Sequence, residues 1–297
     1  MTHQKIIAPE FPFASQFISV NGSKIHYVDE GQGEVILFLH GIPTSNYLWR
    51  NIIPVLTPHA RCIAPDLIGM GKSDKPDLPY RVFDYIHYLA GFIDALKLKN
   101  ITLVMHAWGS VIGFDYAMRH EKNIKALAFY EGYAHLAFSW DSLALPVQEL
   151  AALLRDRKAS YQAIIHDNYI VKKLLPRGGL RRFTETELAY YQAPFTTLES
   201  RKLLWQYVQD LPLGESAPQD VIDLMTNYSK RLEHSQAPKL LLYAVPGFIT
   251  PIASVHWCRD HLPRLTLVDL GEALHFAQES RPKEFAEALK NWYLSIR

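Results

Sequence analysis

The chain has 297 residues, of which 48% are hydrophobic and 21% charged, and its formal net charge is +1. This composition is typical of a globular protein with a large core, and the length fits one α/β domain with an inserted helical segment. Because 31 basic residues face 30 acidic ones, the charge balance excludes a strong attraction to nucleic acid or to an anionic membrane. We expect neither as a partner.

The start of the chain and its cysteines bear on the compartment. The first ten residues lack the apolar core of a signal peptide, and no hydrophobic run approaches the length of a transmembrane helix. Cys62 and Cys258 lie far apart and form no CxxC pair, so we expect two reduced, structural thiols. The resulting prediction is a cytoplasmic protein, whose oligomeric state stays open.

The hydrophobic pattern alternates between strands and helices. Strands are predicted at 17–20, 24–28, 35–39, 61–65, 101–105, 126–130, 239–244 and 265–268. The Asn21-Gly22 pair predicts a hairpin between the first two strands. Apolar residues at helical spacing over 81–97 predict an amphipathic helix, and a C-terminal helix turns Phe285, Leu289 and Trp292 inward. This alternation predicts a mainly parallel, doubly wound α/β sheet with helices on both faces.

The pattern changes between residues 132 and 213, where no strand-like run occurs. Helical segments there carry Trp140, Leu150, Leu153, Ile164, Leu174 and Tyr190, and they are broken by prolines and glycines. Thr184 and Glu187 have the spacing of a capping box, which predicts the start of a helix. We interpret 132–213 as an inserted helical cap on a core formed by 1–131 and 214–297.

The stretch Ile101–Ser110 predicts a buried strand, a tight turn and a helix. This is the pattern of the nucleophile elbow of an α/β-hydrolase, in which the residue before Trp108-Gly109 projects into the active site. That residue is Ala107. Since a methyl group cannot attack a substrate, the elbow lacks its nucleophile.

An oxyanion-binding loop is predicted at His40-Gly41-Ile42-Pro43, directly after a strand. The backbone N–H groups of Ile42 and Trp108 would face a developing oxyanion, and they are independent of the side chains at these positions. A plain turn is the alternative interpretation of the His-Gly pair.

The catalytic histidine is expected at His275, in the loop after the last strand, because this fold orders its residues as nucleophile, acid and histidine. The usual site of the acid reads Val245-Pro246-Gly247 and has no carboxylate. Glu131, after the strand at 126–130, is the remaining candidate to orient the imidazole, and a partly exposed strand-end glutamate is the alternative. We expect His40 and His106 to orient loops.

The glycine-rich stretch Asp66–Asp74 lacks the GxxxxGK[ST] spacing of a phosphate loop, so we interpret it as a structural turn. The sequence has no HExxH motif, no zinc-like Cys/His spacing and no credible dinucleotide-binding fingerprint. We therefore expect no metal and no cofactor.

Several motifs together resemble the haloalkane dehalogenases. They are His40–Arg50, Pro65–Pro76, Trp108–Ser110 and Leu274–Glu279, with further similarity at 167–176 and 193–195. The chain is most similar to the subgroup whose catalytic acid is a glutamate after the sixth strand, which matches Glu131. Coenzyme-independent coelenterazine luciferases share this pattern.

The resemblance implies a mechanism that this chain departs from at two positions. In the family, an elbow Asp attacks the halogen-bearing carbon, and the His–acid pair then activates water to hydrolyse the ester. An Asn after the His-Gly pair and the Trp after the nucleophile hold the halide. Here Ala107 stands at the Asp position and Ile42 at the Asn position. Loss of a nucleophile costs ~10⁴–10⁶ in rate, so we expect hydrolytic dehalogenation to be absent or vestigial.

Three interpretations follow. The first is a repurposed enzyme in which His275 and Glu131 act as a general base, with a backbone oxyanion hole, on a small apolar substrate; the chemistry would be that of a noncovalent lyase, cyclase, isomerase or hydrolase. The second is a dehalogenase disabled by an engineered Asp→Ala change at Ala107, which leaves Ile42 unexplained. The third is a ligand-binding protein without catalysis.

Overall fold

The computed structural model describes residues 8–136, 143–212 and 217–297. Eight strands form one sheet in the order β1-β2-β4-β3-β5-β6-β7-β8. They are β1 (Gln16–Val20), β2 (Ser23–Glu30), β3 (Val35–Leu39), β4 (Arg61–Pro65), β5 (Ile101–His106), β6 (Ile124–Tyr130), β7 (Lys239–Pro246) and β8 (Leu265–Ala273). Strand β2 pairs antiparallel with β1 and β4, and all other neighbours pair in parallel.

Helices cover both faces of this sheet, which confirms the predicted doubly wound α/β-hydrolase architecture. They are α1 (Ile53–Leu56), α2 (Val82–Ala95), α3 (Trp108–Arg119), α4 (Leu145–Leu154), α5 (Arg157–Tyr161), α6 (Leu175–Arg177), α7 (Glu185–Gln192), α8 (Lys202–Asp210), α9 (Gln219–Leu232), α10 (Ile252–His261), α11 (Ala277–Ser280) and α12 (Pro282–Ser295). Short 3₁₀ turns occur at Asn46–Trp49, Glu121–Asn123, Ala193–Phe195 and Glu199–Arg201, and π-helical turns at Gln162–His166 and Ile170–Leu174. Within the described ranges, no helix is long and apolar enough to cross a membrane.

The local sequence signals explain several of these elements. Asn21 and Gly22 have φ values of 49° and 81°, the left-handed conformation that a tight hairpin turn requires. Helix α2 matches the amphipathic helix predicted over 81–97, and the predicted inward residues of α12 (Phe285, Leu289 and Trp292) are buried. Both cysteines are free and buried.

The segment between β6 and α9 is helical in its described parts, from α4 to α8. Thr184 caps α7 by accepting from the N–H of Glu187, whose carboxylate accepts from the N–H of Thr184, so the predicted capping box is confirmed. Trp140 lies outside the described residues. The division into a cap at 132–213 and a core at 1–131 and 214–297 stays a prediction.

A buried ion cluster joins this helical segment to the loop after β3 and to α11. Arg50 donates to both carboxylate oxygens of Glu279 at 2.6 and 2.8 Å and to Glu187 at 2.9 Å. Arg181 donates to the same two carboxylates, and the Tyr191 hydroxyl donates to Glu279 at 2.5 Å. Two guanidinium groups therefore balance two carboxylates, which offsets the cost of taking four charges out of water.

Arg50→Met is expected to destabilise the fold by about 3–5 kcal/mol, because it leaves two buried carboxylates with one remaining cation. Urea unfolding measures this change. The control is Arg231→Met, which breaks the pair with Glu121 whose side chains are 51% and 52% exposed, and which should cost less than about 1 kcal/mol. Equal losses in the two variants would contradict the prediction.

Candidate active site

The site lies where the carboxyl ends of the parallel strands meet. The chain leaves β3 at His40, β5 at Ala107 and β6 at Glu131, and the loop after β8 carries His275. Because parallel strands present their carboxyl ends at one edge of a sheet, the strand order brings these four residues close together.

The turn at Ala107 has the geometry of a nucleophile elbow. Its φ of 48° and ψ of −124° are strained for a residue with a Cβ atom. The Ala107 N–H donates to the carbonyl of Tyr130 at 3.4 Å, and its carbonyl accepts from the N–H and the hydroxyl of Ser110 at 2.9 and 2.7 Å. A Cβ atom on Gly109 would lie 2.6 Å from the His40 carbonyl oxygen, so glycine is needed there. The elbow is thus held by its surroundings, whatever side chain it carries.

The predicted oxyanion loop packs directly on this elbow. A Cβ atom on Gly41 would lie 2.7 Å from the Ala107 Cβ and 3.3 Å from the Trp108 nitrogen. His40 Nδ1 donates to the Gly41 carbonyl at 2.8 Å, and its Nε2 accepts from the N–H of Leu67 at 2.9 Å. Burial lowers the pKa of His40, which favours the neutral ring that this pattern requires. His40 therefore orients the loop.

The amides of Ile42 and Trp108 are the two predicted oxyanion donors. Across residues 8–136, 143–212 and 217–297, neither N–H donates a hydrogen bond to another protein group. Trp108 is the first residue of α3, whose leading N–H groups have no acceptor within the helix. Both N–H groups are therefore unpaired within the described part of the chain, as the predicted oxyanion donors would be.

His275 and Glu131 form a hydrogen-bonded pair. Nδ1 of His275 lies 2.9 Å from Oε2 of Glu131, whose side chain is 2% exposed. Since a carboxylate only accepts, Nδ1 carries the proton and Nε2 keeps its lone pair. The alternative of a partly exposed glutamate at 131 is therefore wrong.

The loop after β7 holds this carboxylate through its backbone, a role that sequence reasoning missed. The N–H groups of Phe248, Ile249 and Thr250 donate to the oxygens of Glu131 at 3.0, 2.7 and 3.3 Å. The only signal for this role in the sequence is that Val245-Pro246-Gly247 contains no carboxylate. In the structure Gly247 directly follows β7 and has a φ of 71°. In this chain the loop after β7 therefore carries no carboxylate of its own, and its backbone N–H groups bind the carboxylate of Glu131, which follows β6.

His106 fixes the backbone of the histidine loop. Its Nε2 donates to the carbonyl of His275 at 2.9 Å, and the Tyr130 hydroxyl donates to the neighbouring carbonyl of Leu274. Burial holds the pKa of His106 well below its ordinary value of 6.5, and the nearby imidazole of His275 is a second, smaller cause. Its Nδ1 has no hydrogen-bond partner among the described residues, in keeping with a neutral ring.

An apolar cavity adjoins the pair and encloses about 660 Å³ free of protein atoms, part of it open to solvent. Ile42 and His275 line it, and its other described lining residues are Pro43, Tyr133, Leu143, Val147, Leu150, Ile170, Leu174, Leu175, Gly178, Tyr207, Leu211, Phe248, Ile249 and Phe276. None of these is Lys, Arg, Asp or Glu. The buried Trp108 indole packs edge-on against Tyr133 and Tyr207, with ring centroids 5.8 and 5.4 Å apart.

Comparison with known proteins agrees with this architecture. A family model described as the alpha/beta hydrolase fold matches residues 34–282. The chain therefore belongs to the α/β-hydrolase family. Within that family it belongs with the haloalkane dehalogenases. One such enzyme, from Mesorhizobium japonicum, is 36% identical over 93% of this chain and 89% of its own length. Another, from Sphingobium indicum, is 36% identical over 96% and 97%.

Solved structures show the same relationship. A putative ancestral haloalkane dehalogenase superposes with a TM-score of 0.90 at 37% identity, covering 95% of this chain and 99% of that one. A haloalkane dehalogenase from Bradyrhizobium elkani superposes with a TM-score of 0.91 at 35% identity, covering 96% and 98%.

His106→Gln should reduce the acid sensitivity of the fold. The folded-state pKa of His106 lies below the unfolded value near 6.5, so only the unfolded chain takes up this proton as pH falls below 6.5. Stability is then lost at about 1.4 kcal/mol for each pH unit below 6.5. Between pH 7.5 and 5.5, the unfolding free energy of the variant should therefore fall by about 1.4 kcal/mol less than that of the parent chain.

Urea unfolding at the two pH values measures this difference. The exposed His234→Gln provides the matched control and should keep the pH dependence of the parent chain. An identical drop in the His106→Gln variant would show that His106 is not the buried neutral group described.

Proposed function

We propose that this protein catalyses proton transfer without a covalent intermediate, with His275 as the general base and Glu131 as the group that orients it. The main support is the 2.9 Å hydrogen bond between Nδ1 of His275 and the carboxylate of Glu131, because His275 also lines the cavity. This geometry leaves Nε2 as a lone-pair acceptor for a proton from water or from a substrate O–H or C–H group.

The amides of Ile42 and Trp108 supply the second half of the proposed chemistry. Removal of a proton next to a carbonyl, or attack of water on it, places negative charge on an oxygen. Two preorganised N–H donors would stabilise that charge. Lyase, cyclase, isomerase and noncovalent hydrolase reactions all use this combination.

The cavity supports one class of substrate. Its described lining is apolar and aromatic and carries no side chain of Lys, Arg, Asp or Glu. A charged substrate would lose its hydration without gaining a partner. We therefore infer a small, neutral, largely apolar molecule that presents one acidic hydrogen or one carbonyl to His275.

Covalent dehalogenation is not the proposed reaction, because the chain lacks both the attacking aspartate and the halide-binding asparagine of that reaction. Ala107 has no attacking atom, and Ile42 has a hydrocarbon side chain where halide capture would need a donor. The similarity to haloalkane dehalogenases then reflects the shared scaffold.

A Kemp elimination tests the general base without knowledge of the natural substrate. The probe, 5-nitrobenzisoxazole, is flat, neutral and apolar, and its ring opens when a base removes one C–H proton. We expect the parent chain to accelerate this reaction, and His275→Gln to lower kcat/KM by about 10²-fold or more. Product absorbance measures the rate.

The exposed His234→Gln variant is the control, since it removes an imidazole outside the cavity. A rate that His275→Gln leaves unchanged would contradict the proposal. Binding of the probe without any turnover in the parent chain would instead favour a ligand-binding protein.

The Ala107→Asp, Ile42→Asn double variant tests the alternative of a disabled dehalogenase. Restoring both the nucleophile and the halide donor should release bromide from 1-bromobutane or 1,2-dibromoethane if the remaining site still fits such substrates. We expect no release from the parent chain and slow release from the double variant, measured with a halide assay. Full activity from Ala107→Asp alone would favour the disabled dehalogenase over the repurposed enzyme.

A further inference from the structure

A second Ser–His–Asp arrangement lies outside the cavity. It joins Ser15, just before β1, with His26 on β2 and Asp66, which follows β4. Nδ1 of His26 is 2.7 Å from Oδ2 of Asp66, and its Nε2 is 3.0 Å from Oγ of Ser15. His26 and Asp66 are each 1% exposed, whereas Ser15 is exposed. None of the three is among the described residues that line the cavity.

The hydrogen bonds define the direction of proton movement. Asp66 accepts from His26, so Nδ1 carries the proton and Nε2 accepts from the Ser15 hydroxyl. The Asn46 amide nitrogen lies farther away, at 3.3 Å from Nδ1, and donates to the Ala64 carbonyl at 3.2 Å. This is the polarity in which a histidine activates a serine.

The acid of this arrangement is held rigidly. The N–H groups of Asn46 and Lys72 each donate to the Asp66 carboxylate at 2.8 Å. Gly71 has a φ of 50°, and a Cβ atom there would lie 2.0 Å from the Asp66 carboxylate. The glycine-rich stretch predicted to be a structural turn therefore also fixes a carboxylate behind His26.

A cation faces the serine from the solvent side. The ammonium of Lys72 donates to Ser15 Oγ at 3.0 Å. An ammonium at this distance stabilises negative charge that develops on the serine oxygen as its proton leaves. The ring of Phe17 packs on His26 with centroids 5.1 Å apart and helps to keep water from the imidazole.

We propose that Ser15 is a nucleophilic acylation site for small activated esters, separate from the cavity. Its Oγ forms a bond to the ester carbonyl carbon, and the bond from that carbon to the leaving oxygen breaks. The serine proton passes to Nε2 of His26 and then to the leaving alcohol or phenol. Water hydrolyses the resulting acyl-serine by the same route and releases the acid.

Acetylation by p-nitrophenyl acetate tests this site in the full chain. Released p-nitrophenolate gives the rate, and peptide mass spectrometry locates the acetyl group. We expect acetylation of Ser15 about 10²-fold faster than that of Ser19, an exposed serine on β1 that serves as an internal reference. Acetylation of Ser15 no faster than Ser19 would overturn the proposal.

Variants assign the rate to the three side chains. Ser15→Ala should remove the fast acetylation, and the matched Ser19→Ala should keep it. His26→Gln should slow acetylation of Ser15 by about 10²-fold. An unchanged rate would show that His26 does not activate Ser15 and would contradict the proposal. Because His26 is buried, the acetylation rate of its variant is interpreted only after cooperative urea unfolding has shown that the variant is folded.

The exposed Lys72→Met variant keeps the proposal testable if the His26 variant does not fold. It removes the charged donor to Ser15 Oγ and should slow acetylation by about tenfold, whereas an unchanged rate would count against the site. Ser15→Ala should leave the Kemp elimination at His275 unchanged. The two proposals can therefore fail separately.

Discussion

The candidate site depends on one carboxylate, that of Glu131, and on the four N–H groups that surround it. Three of these belong to the backbone of residues 248–250 and the fourth to the ring of His275. A buried negative charge is tolerated only when donors replace its lost hydration. The carboxylate thereby brings together the ends of three strands, β6, β7 and β8, and fixes both the position and the tautomer of the imidazole.

The other half of the site depends on backbone packing. Gly41 contacts the elbow closely, and Gly109 lies against the carbonyl of His40. These contacts leave no room for larger residues, so the oxyanion loop and the start of α3 have one relative position. The Arg50 cluster joins the helical segment to Glu279, four residues beyond His275 in the chain.

Much of this arrangement could be predicted because the pattern of apolar residues reports on local structure. The eight strands, helix α2 and the capping box at Thr184 follow from spacing and composition alone. The places of Ala107, Glu131 and His275 follow as well, because each comes directly after a strand or in the loop beyond it. By contrast, the amides that hold Glu131, the ion cluster at Arg50 and the contact between His26 and Asp66 join residues distant in sequence. No periodicity records such contacts, since they arise only when the sheet and its loops assemble.

The elbow keeps its strained backbone even though its side chain is only a methyl group. Ser110, Tyr130 and Gly41 impose this conformation from outside, so the turn does not depend on what residue 107 can do chemically. Fold and reactivity are therefore separable at this position. The side chain at residue 107 can therefore differ between proteins with this scaffold while the turn and the start of α3 keep the same backbone.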